Sequence, residues 1–297
     1  MRKGGYILKI DAHQHFWSIH RPNDYGFLTP DAGVLYKDYL PGDLKPNLEA
    51  AGIDYTILVQ AAETVEETEW LLNIAKEVDF IAGVAGWINF DTDTKAFTGN
   101  LSTFRKNPKF IGVRPMLQDL PDDHFILKPQ VLENLKIIAS LDFPFDILIY
   151  PKHLPYVYEM LQKVPGLRAV IDHLAKPVIR NGEIDSWLLW IEKISRFPNV
   201  WCKLSGMVTE ADHKNWKLED FVPYVQGIVN CFGSSRLMFG SDWPVCLQAA
   251  TYEQVFNLLQ DVFSELPEQL DTAEQEAIFG TNVARFYKLD FLNNRSY

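Results

Sequence analysis

The feature of this sequence that most constrains its fold is a regular alternation of short apolar runs with longer, helix-like segments. The runs are mostly continuously apolar, which is typical of parallel strands buried on both faces. Eight such runs occur within 297 residues, a length close to that of one closed α/β barrel. They span residues 9–16, 55–62, 80–89, 110–116, 144–150, 167–174, 200–206 and 237–243. The sequence therefore predicts a single (β/α)8 TIM-type barrel over residues 1–297, with a doubly wound open sheet as the alternative.

The segments between the runs carry signals for the starts and ends of helices. Thr64 with Glu67 forms a Thr-x-x-Glu capping box, and Thr251 with Gln254 repeats this signal. A late helix at about 272–279 is predicted to end at Gly280, acting as a left-handed cap. The other helices are predicted at about 43–51, 94–107, 130–141, 155–164, 184–196 and 219–232.

The longest irregular stretch follows the first strand, at residues 18–42. It contains Pro22, Pro30 and Pro41 together with several aromatic residues. Because it is longer than a usual connection, the sequence predicts an extended loop that acts as a lid over the barrel mouth.

Charge and cysteine content exclude several classes of partner. The net charge is −11 and no cluster of Lys and Arg occurs, so we expect neither nucleic acid nor membrane as a partner. The three cysteines, Cys202, Cys231 and Cys246, have no Cys-x-x-Cys spacing, which indicates reduced thiols. No secretion signal or membrane-spanning run is present, so a cytoplasmic protein with a small-molecule substrate is predicted. The pattern does not specify an oligomeric state, and we expect no organic cofactor.

Polar residues that interrupt the apolar runs near their ends are the candidates for chemistry, because active sites of such barrels lie at the carboxyl ends of the strands. His13 and His15 end the first run and, being two residues apart, project to the same side of a strand. Two converging imidazoles suit a divalent metal such as zinc. The alternative is a hydrogen-bonded pair at a strand end.

Two further polar residues occupy the same end of later runs. His173 lies at the end of the sixth run and Asp242 at the end of the eighth. A carboxylate at this position can accept a proton from water or bind a metal. Taken singly, His173 could be a core histidine, and Asp242 could form a turn before Pro244. The coincidence of all four residues at strand ends favours a common site.

Six motifs in order give the chain a resemblance to a known family. They read DAHQHFW, GVRPML, DHLAKP, KLSG, GSDWP and GTNVARFYKL. The sequence resembles the amidohydrolase superfamily, in particular the amidohydrolase-2 branch that contains sugar-lactone and aromatic-lactone hydrolases. The resemblance implies that Asp242 is the general base, while His13, His15 and His173 hold a metal, or hold water and the carbonyl directly.

One departure from the superfamily pattern bears on the metal. The fifth run has no histidine at its end, and His153 lies beyond it, at the start of the next helix. A binuclear centre is therefore not expected. The resemblance leaves two alternatives: a site with one divalent ion, most simply zinc, or a site without metal. The candidate ligands are His13, His15, His173 and Asp242.

Other polar and aromatic residues near strand ends are candidates for substrate binding: Arg114, Lys203, Gln60, Trp87 and Asp146. A fixed guanidinium or an inward-pointing ammonium could bind a carbonyl, and the other three could bind sugar hydroxyls or stack on a ring. The alternatives are a structural ion pair for Arg114 and core packing for Trp87.

With these residues in place, the resemblance implies a hydrolase that opens a sugar (aldono-) lactone with activated water. The first alternative is a metal-dependent decarboxylase of an aromatic acid on the same fold. The second is a ligand-binding barrel that has lost catalysis, which the presence of all four central residues disfavours. No Gly-x-Ser-x-Gly elbow competes with the water-based mechanism.

Overall fold

The structure is a computed structural model that describes residues 7–21 and 23–289. Pro22 of the predicted extended loop, and the first six and last eight residues of the predicted domain 1–297, lie outside the described residues.

Eight parallel strands form one sheet in the order of the chain, from β1 to β8. Their first and last members meet through a parallel bridge between Gln14 and Trp243. At this junction the His15 amide donates to the Trp243 carbonyl at 2.7 Å, and the Asp242 amide donates to the His13 carbonyl at 2.8 Å. The predicted (β/α)8 barrel is therefore confirmed. The strands are β1 (Ile10–Gln14), β2 (Tyr55–Val59), β3 (Ile81–Gly86), β4 (Phe110–Val113), β5 (Phe145–Ile147), β6 (Ala169–Ile171), β7 (Val200–Leu204) and β8 (Leu237–Phe239).

Helices follow the strands and cover the outside of the sheet, as the spacing predicts. They are α1 (Pro41–Ala51), α2 (Val65–Glu77), α3 (Thr94–Phe104), α4 (Pro129–Ser140), α5 (Leu154–Lys163), α6 (Asp185–Ser195), α7 (Met207–Glu210), α8 (Leu218–Phe232), α9 (Tyr252–Glu265), α10 (Thr272–Glu276) and α11 (Asn282–Phe286). Among the described residues, no helix is long and apolar enough to span a bilayer.

The two predicted capping boxes have different outcomes. At α9 the box is complete, since Thr251 caps the Gln254 amide and the Gln254 side chain returns to the Thr251 amide. At α2 only half of it forms, since Thr64 Oγ1 accepts from the Glu67 amide at 3.0 Å. The Glu67 carboxylate instead turns away, toward the end of β2 and the loop after β1.

The predicted helix end at Gly280 is wrong. The chain continues through a wide turn at Ala277–Thr281 directly into α11, and Gly280 does not have a positive φ. A side chain at Gly280 would collide with the carbonyl of Leu8, just before β1. Glycine is needed here for the close approach of two backbones rather than to end a helix.

Strand periodicity separates an apolar layer from a polar one. A small apolar cluster contains Val170 of β6 and Trp201 of β7, packed with residues of α11. Two residues further along the same strands stand Asp172 and Lys203, both fully buried. Because side chains two apart share one face of a strand, the charged residues form the next layer toward the carboxyl end. The barrel thus has an apolar base and a charged layer above it.

Candidate active site

Three histidines and one aspartate meet at the carboxyl end of the barrel. Oδ1 of Asp242 lies 3.3 Å from Nε2 of His15 and 3.8 Å from Nε2 of both His13 and His173. His13 of β1 and His15, directly after it, approach each other, with 3.2 Å between their Nε2 atoms. The structure therefore brings together the four residues that the strand ends predict.

The orientation of His15 is fixed by a backbone carbonyl. Its Nδ1 lies 2.8 Å from the carbonyl oxygen of Val59, which can only accept, so the proton of neutral His15 is on Nδ1. The Nε2 lone pair then faces Asp242 and His13. A carbonyl that fixes the tautomer in this way is typical of histidines that bind a metal.

His173 reaches the cluster through an unusual backbone turn. Residues 173–176 all have positive φ, between 52° and 61°, although none of them is glycine. Left-handed backbone is costly for such residues, and runs of it occur mostly at functional sites. Nδ1 of His173 is 2.8 Å from Oγ of Ser205. A Cβ on Gly206 would lie 2.6 Å from that nitrogen, which explains the glycine of the KLSG motif.

Asp242 is held by the backbone of the GSDWP motif. Its φ is +56°, in the left-handed region. The preceding Ser241 amide donates to Oδ1 of Asp11 at 2.9 Å, and this carboxylate also accepts from the His13 amide at 3.0 Å. Asp11 thereby joins the β1 end to the segment that carries Asp242. A Cβ on Gly240 would lie 2.7 Å from Cβ of His13, so this glycine makes room for the imidazole.

At neutral pH the cluster contains the carboxylate of Asp242 beside the uncharged imidazoles of His13 and His173. Burial raises the pKa of Asp242, but its interactions with the three histidines, led by His173, outweigh burial, so its pKa lies below the ordinary value. Burial lowers the pKa of His173 to about 4, against the attraction of Asp242. Burial also lowers the pKa of His13 well below its usual range, and the nearby Lys203 acts in the same direction although Asp172 opposes it. Asp242 is thus available as a proton acceptor.

A buried ion network supports the cluster from below. The ammonium of Lys203 lies 2.6 Å from Oδ2 of Asp146, 3.0 Å from Oδ1 of Asp172 and 3.2 Å from Nδ1 of His13. Tyr287, just after α11, donates to Oδ2 of Asp146 at 2.7 Å. Buried charges are tolerated only when they are paired, and each charged group of this network has a partner of opposite charge, although Oδ1 of Asp146 has no hydrogen-bond partner among the described residues.

Arg114 links this network to the cavity. Its Nη1 lies 3.3 Å from Oδ2 of Asp172 and 3.4 Å from Nε2 of His13. Gln60 holds the other side of the guanidinium, through both its carbonyl and its side-chain oxygen, and its amide group donates back to the Arg114 carbonyl at 2.7 Å. The guanidinium is therefore rigidly oriented toward the histidine cluster.

A cavity of about 270 Å³ opens above the four central residues. Of the predicted residues, His15, His173, Asp242 and Arg114 line it. The segment 18–42, predicted to cover the barrel mouth, contributes Phe27 and Leu35 to the wall, although neither residue was predicted individually. The sequence reasoning also missed the wall residues outside this segment: Trp17, Ala61, Met116, Gln118, Asp119, Leu148, Lys176 and Val245. Met116 belongs to the GVRPML motif and Lys176 to the DHLAKP motif, so membership in these motifs could have indicated that the two residues line the cavity.

The remaining predicted substrate residues do not line this cavity. Lys203, Asp146 and Gln60 are fully buried behind its wall, where Gln60 contacts Arg114, Lys203 contacts His13 and Asp172, and Asp146 contacts Lys203. Trp87 follows β3, and its backbone exchanges two hydrogen bonds with Thr68 of α2. The geometry gives the first three a supporting position behind the catalytic cluster rather than a position against a ligand.

The donor set fits one divalent ion. Ligand atoms of His13, His15 and Asp242 lie within 4.8 Å of one another, and those of His13, Asp172 and His173 form a second such group. With His15 protonated on Nδ1, acceptor atoms of His15 and Asp242 face each other, an arrangement that a cation between them would satisfy. Nitrogen and carboxylate ligands of this kind suit zinc and related ions.

Comparison with known proteins identifies the family. Residues 10–289 match the family described as Amidohydrolase, and the chain belongs to it. It is 38% identical to an L-fucono-1,5-lactonase of Burkholderia ambifaria, over 95% of this chain and 96% of that protein. It is also similar to the crystal structure of an amidohydrolase from Burkholderia multivorans with bound zinc. The TM-score of that comparison is 0.87 and the identity 34%, covering 95% of this chain and 99% of the other.

The likeness to aromatic-acid decarboxylases is more distant. A dihydroxybenzoic acid decarboxylase from Polaromonas has a TM-score of 0.67 and 15% identity, with 98% of this chain and all of the other covered. Similarity at this level shows a shared fold alone.

Proposed function

We propose that this protein is a hydrolase that opens a sugar lactone, with L-fucono-1,5-lactone or a closely related aldonolactone as its substrate. One observation carries the proposal: an ionised carboxylate, Asp242, lies within 3.8 Å of three histidines at the floor of a cavity of about 270 Å³. A cavity of this size suits a single small ring. Family membership and the similarity to a fuconolactonase support the choice of a sugar lactone.

Asp242 is the general base in this mechanism. A lactone is a cyclic ester, and water adds to its carbonyl carbon as Asp242 accepts a proton from that water. The resulting tetrahedral oxyanion collapses, and the bond between the carbonyl carbon and the ring oxygen breaks. Asp242 then returns its proton to the leaving ring oxygen. One water is consumed and the open-chain hydroxy acid is formed. A positioned base of this kind contributes about 10²–10⁴-fold in rate.

Arg114 provides the positive charge for the oxyanion. Its guanidinium lines the cavity and lies 3.4 Å from Nε2 of His13, beside the cluster. Asp172 and Gln60 hold it in place before substrate arrives, so little reorganisation is needed when charge develops. Removing one such donor typically lowers the rate by about 10²–10³-fold.

His13, His15, His173 and Asp242 would hold one divalent ion, for which zinc is our proposal. When bound, such an ion supplies Lewis-acid polarisation and lowers the pKa of water to about 7. Asp172, whose Oδ1 lies 3.5 Å from Nδ1 of His13, orients this imidazole toward the ligand position.

The rim of the cavity contributes substrate contacts. Gln118, Asp119 and Lys176 offer polar groups for sugar hydroxyls, whereas Trp17 and Phe27 form an apolar wall. We propose a small-molecule substrate as the partner of this site, and a cytoplasmic location. The three cysteines, Cys202, Cys231 and Cys246, are free, which agrees with a reducing compartment.

A hydrolysis assay on metal-stripped protein tests this function. The substrates are L-fucono-1,5-lactone and a small panel of other aldonolactones, with a pH-indicator dye reporting the acid released. We expect turnover of at least one sugar lactone, and an increase when zinc or manganese is added back. Dihydroxybenzoate serves as the control substrate, with carbon dioxide as the readout. Turnover of no lactone, with or without metal, or carbon dioxide release from the control, would contradict the proposal.

A further inference from the structure

Glu67 is a buried carboxylate that the proposed chemistry does not use. Its side chain is fully buried in the first turn of α2. Oε1 accepts hydrogen bonds from Oη of Tyr25 and from the amide of Ala61, both at 2.9 Å, and Oε2 accepts from the amide of Ala62 at 2.9 Å. A buried carboxylate is costly unless it is fully hydrogen-bonded, so its presence here calls for a role.

The partners of Glu67 belong to two walls of the cavity. Ala61, just after β2, lines the cavity itself, and the preceding Gln60 holds the guanidinium of Arg114. Tyr25 lies in the segment 18–42, two residues before Phe27, which also lines the cavity. One carboxylate therefore joins the strand end that supports Arg114 to the segment that covers the substrate.

Other contacts bring the same segment to α2 without reaching β2. Oγ1 of Thr64 donates to Oδ1 of Asp24 at 2.6 Å, and Arg21 donates to the carbonyl of Glu66 at 3.2 Å. These bonds hold Arg21 and Asp24 against the helix. Within this set of contacts, Glu67 alone also bonds to the end of β2, and this double attachment distinguishes it from an ordinary helix contact.

We propose that Glu67 is a positioning residue that fixes the wall formed by residues 25–27 relative to Ala61 and Arg114, and so sets how tightly the cavity holds its substrate. The inference rests on the proposed lactonase function. It assigns Glu67 to substrate binding rather than to the chemical step, since the residue does not line the cavity.

Protonation of Glu67 would weaken this attachment. Burial raises the pKa of Glu67 to about 7, although the amides of Ala61 and Ala62, the Tyr25 hydroxyl and the charge of Arg114 all oppose it. A protonated carboxyl group cannot accept from all three donors equally well. The charged groups on the side of Tyr25 are Arg21 and Asp24. We therefore expect the wall to loosen as the pH falls through about 7.

Kinetics of two variants test the proposal in the full-length protein. In Glu67→Gln the new side-chain NH2 group faces a donor from which the carboxylate accepted, so at least one hydrogen bond is lost. We expect KM to rise by about tenfold and kcat to change by less than about twofold. For Tyr25→Phe, which removes one hydroxyl, we expect KM to rise by about threefold. The wild-type KM should rise as the pH falls from about 8 to about 6, whereas that of Glu67→Gln should not. A loss confined to kcat, or an unchanged KM in both variants, would overturn the proposal.

Asn134→Ala is the matched control. Asn134 is fully buried in α4 and donates to the carbonyls of Phe90 and Thr92, both at 2.9 Å, without lining the cavity. This variant also loses buried hydrogen bonds, and we expect it to lower stability while leaving KM unchanged. A rise in its KM equal to that of Glu67→Gln would show that KM follows general stability, and would overturn the positioning role.

Hydrogen exchange separates this inference from the lactonase proposal, because it needs no substrate. In Glu67→Gln we expect amides of residues 61–62 and of 23–29 to lose protection together, as a shared attachment requires. Wild-type protection at both places should also fall below about pH 7. If the wild type opens no lactone but shows this coupled loss, the substrate is wrong and the positioning role stands. Unchanged protection at either place would overturn the role whatever the kinetics show.

Discussion

The two ends of the barrel both contain an aspartate paired with two cations, in opposite surroundings. At the carboxyl end Asp172 is fully buried and contacts Arg114 and Lys203, at 3.3 Å and 3.0 Å. At the amino end Asp142, before β5, lies 2.6 Å from Nε of Arg168 and is 50% exposed. Lys288, after α11, pairs with the other oxygen of Asp142 at 2.5 Å.

Burial gives the same residue types different consequences. Exposed ion pairs gain little, because water and salt screen them, and they contribute about 0–1 kcal/mol. Buried ions lose their hydration, so each must be fully paired, and removal of one partner leaves an uncompensated charge. The buried group at the carboxyl end also contacts His13 and so orients a candidate catalytic residue, whereas the exposed group at the amino end holds only the ends of loops. The comparison shows that the buried charged residues of this barrel lie next to the candidate site, where Asp172 orients His13.

The largest effect should come from Asp242→Asn at the carboxyl end. Asn accepts the left-handed backbone that this position requires, so the fold should remain, but it cannot accept a proton from water. We expect kcat to fall by about 10²–10⁴-fold with a melting temperature close to that of the wild type. Lactone hydrolysis and thermal unfolding measure the two quantities. Activity within about tenfold of the wild type would require another base.

A large loss of stability should follow Lys203→Met in the buried network. Asp146 and Asp172 would lose their shared ammonium, and breaking a buried pair typically costs about 3–5 kcal/mol in the free energy of unfolding. Chemical denaturation measures this cost. The double variant with Asp146→Asn removes one stranded charge and should recover part of the loss. If the single variant lost less than about 1 kcal/mol, the network would behave like an exposed one.

The smallest effect is expected from Asp142→Asn at the amino end. We expect a loss below about 1 kcal/mol at neutral pH, because solvent screens this group. The bonds from Arg168 lead the effects that lower the pKa of Asp142, partly opposed by burial, to about 2. Since the unfolded chain binds the proton more readily, the contribution is present above about pH 4 and is lost as the pH falls toward 2.

Unfolding of the wild type and Asp142→Asn across this acid range checks the sign. The difference in their free energies of unfolding should shrink as the pH falls. A difference that grows on acidification, or a loss as large as that of Lys203→Met, would remove the contrast between the two ends.

The fold and the centre of the site were predictable because they depend on local pattern. Buried parallel strands are apolar along their whole length, so a polar residue near a strand end stands out, as His13, His15, His173 and Asp242 do. Their convergence then follows from barrel geometry, in which all carboxyl ends meet at one rim. No tertiary detail was needed for that step.

The same pattern did not predict how deep each polar side chain lies in the barrel, or the path of the loop that follows β1. Lys203 and Arg114 both interrupt apolar runs, but Arg114 lines the cavity while Lys203 lies behind its wall, and this difference depends on strand stagger. The covering wall, with Phe27, comes from an irregular segment whose path is set by long-range contacts such as that of Tyr25 with Glu67. The Thr64 capping signal predicted that the Glu67 carboxylate bonds to the start of its own helix. In the structure this carboxylate instead accepts hydrogen bonds from Tyr25, Ala61 and Ala62.

The junction of β1 with β8 has a consequence for how the site comes into being during synthesis. The bonds that close the barrel, from the His15 amide to Trp243 and from the Asp242 amide to His13, also set Asp242 beside the imidazoles of His13 and His15. Because 227 residues separate His15 from Asp242, the cluster can form only after the eighth strand has been synthesised. A molecule bound between His13, His15 and Asp242 would contact the ends of both the first and the last strand, and would therefore stabilise the closed barrel.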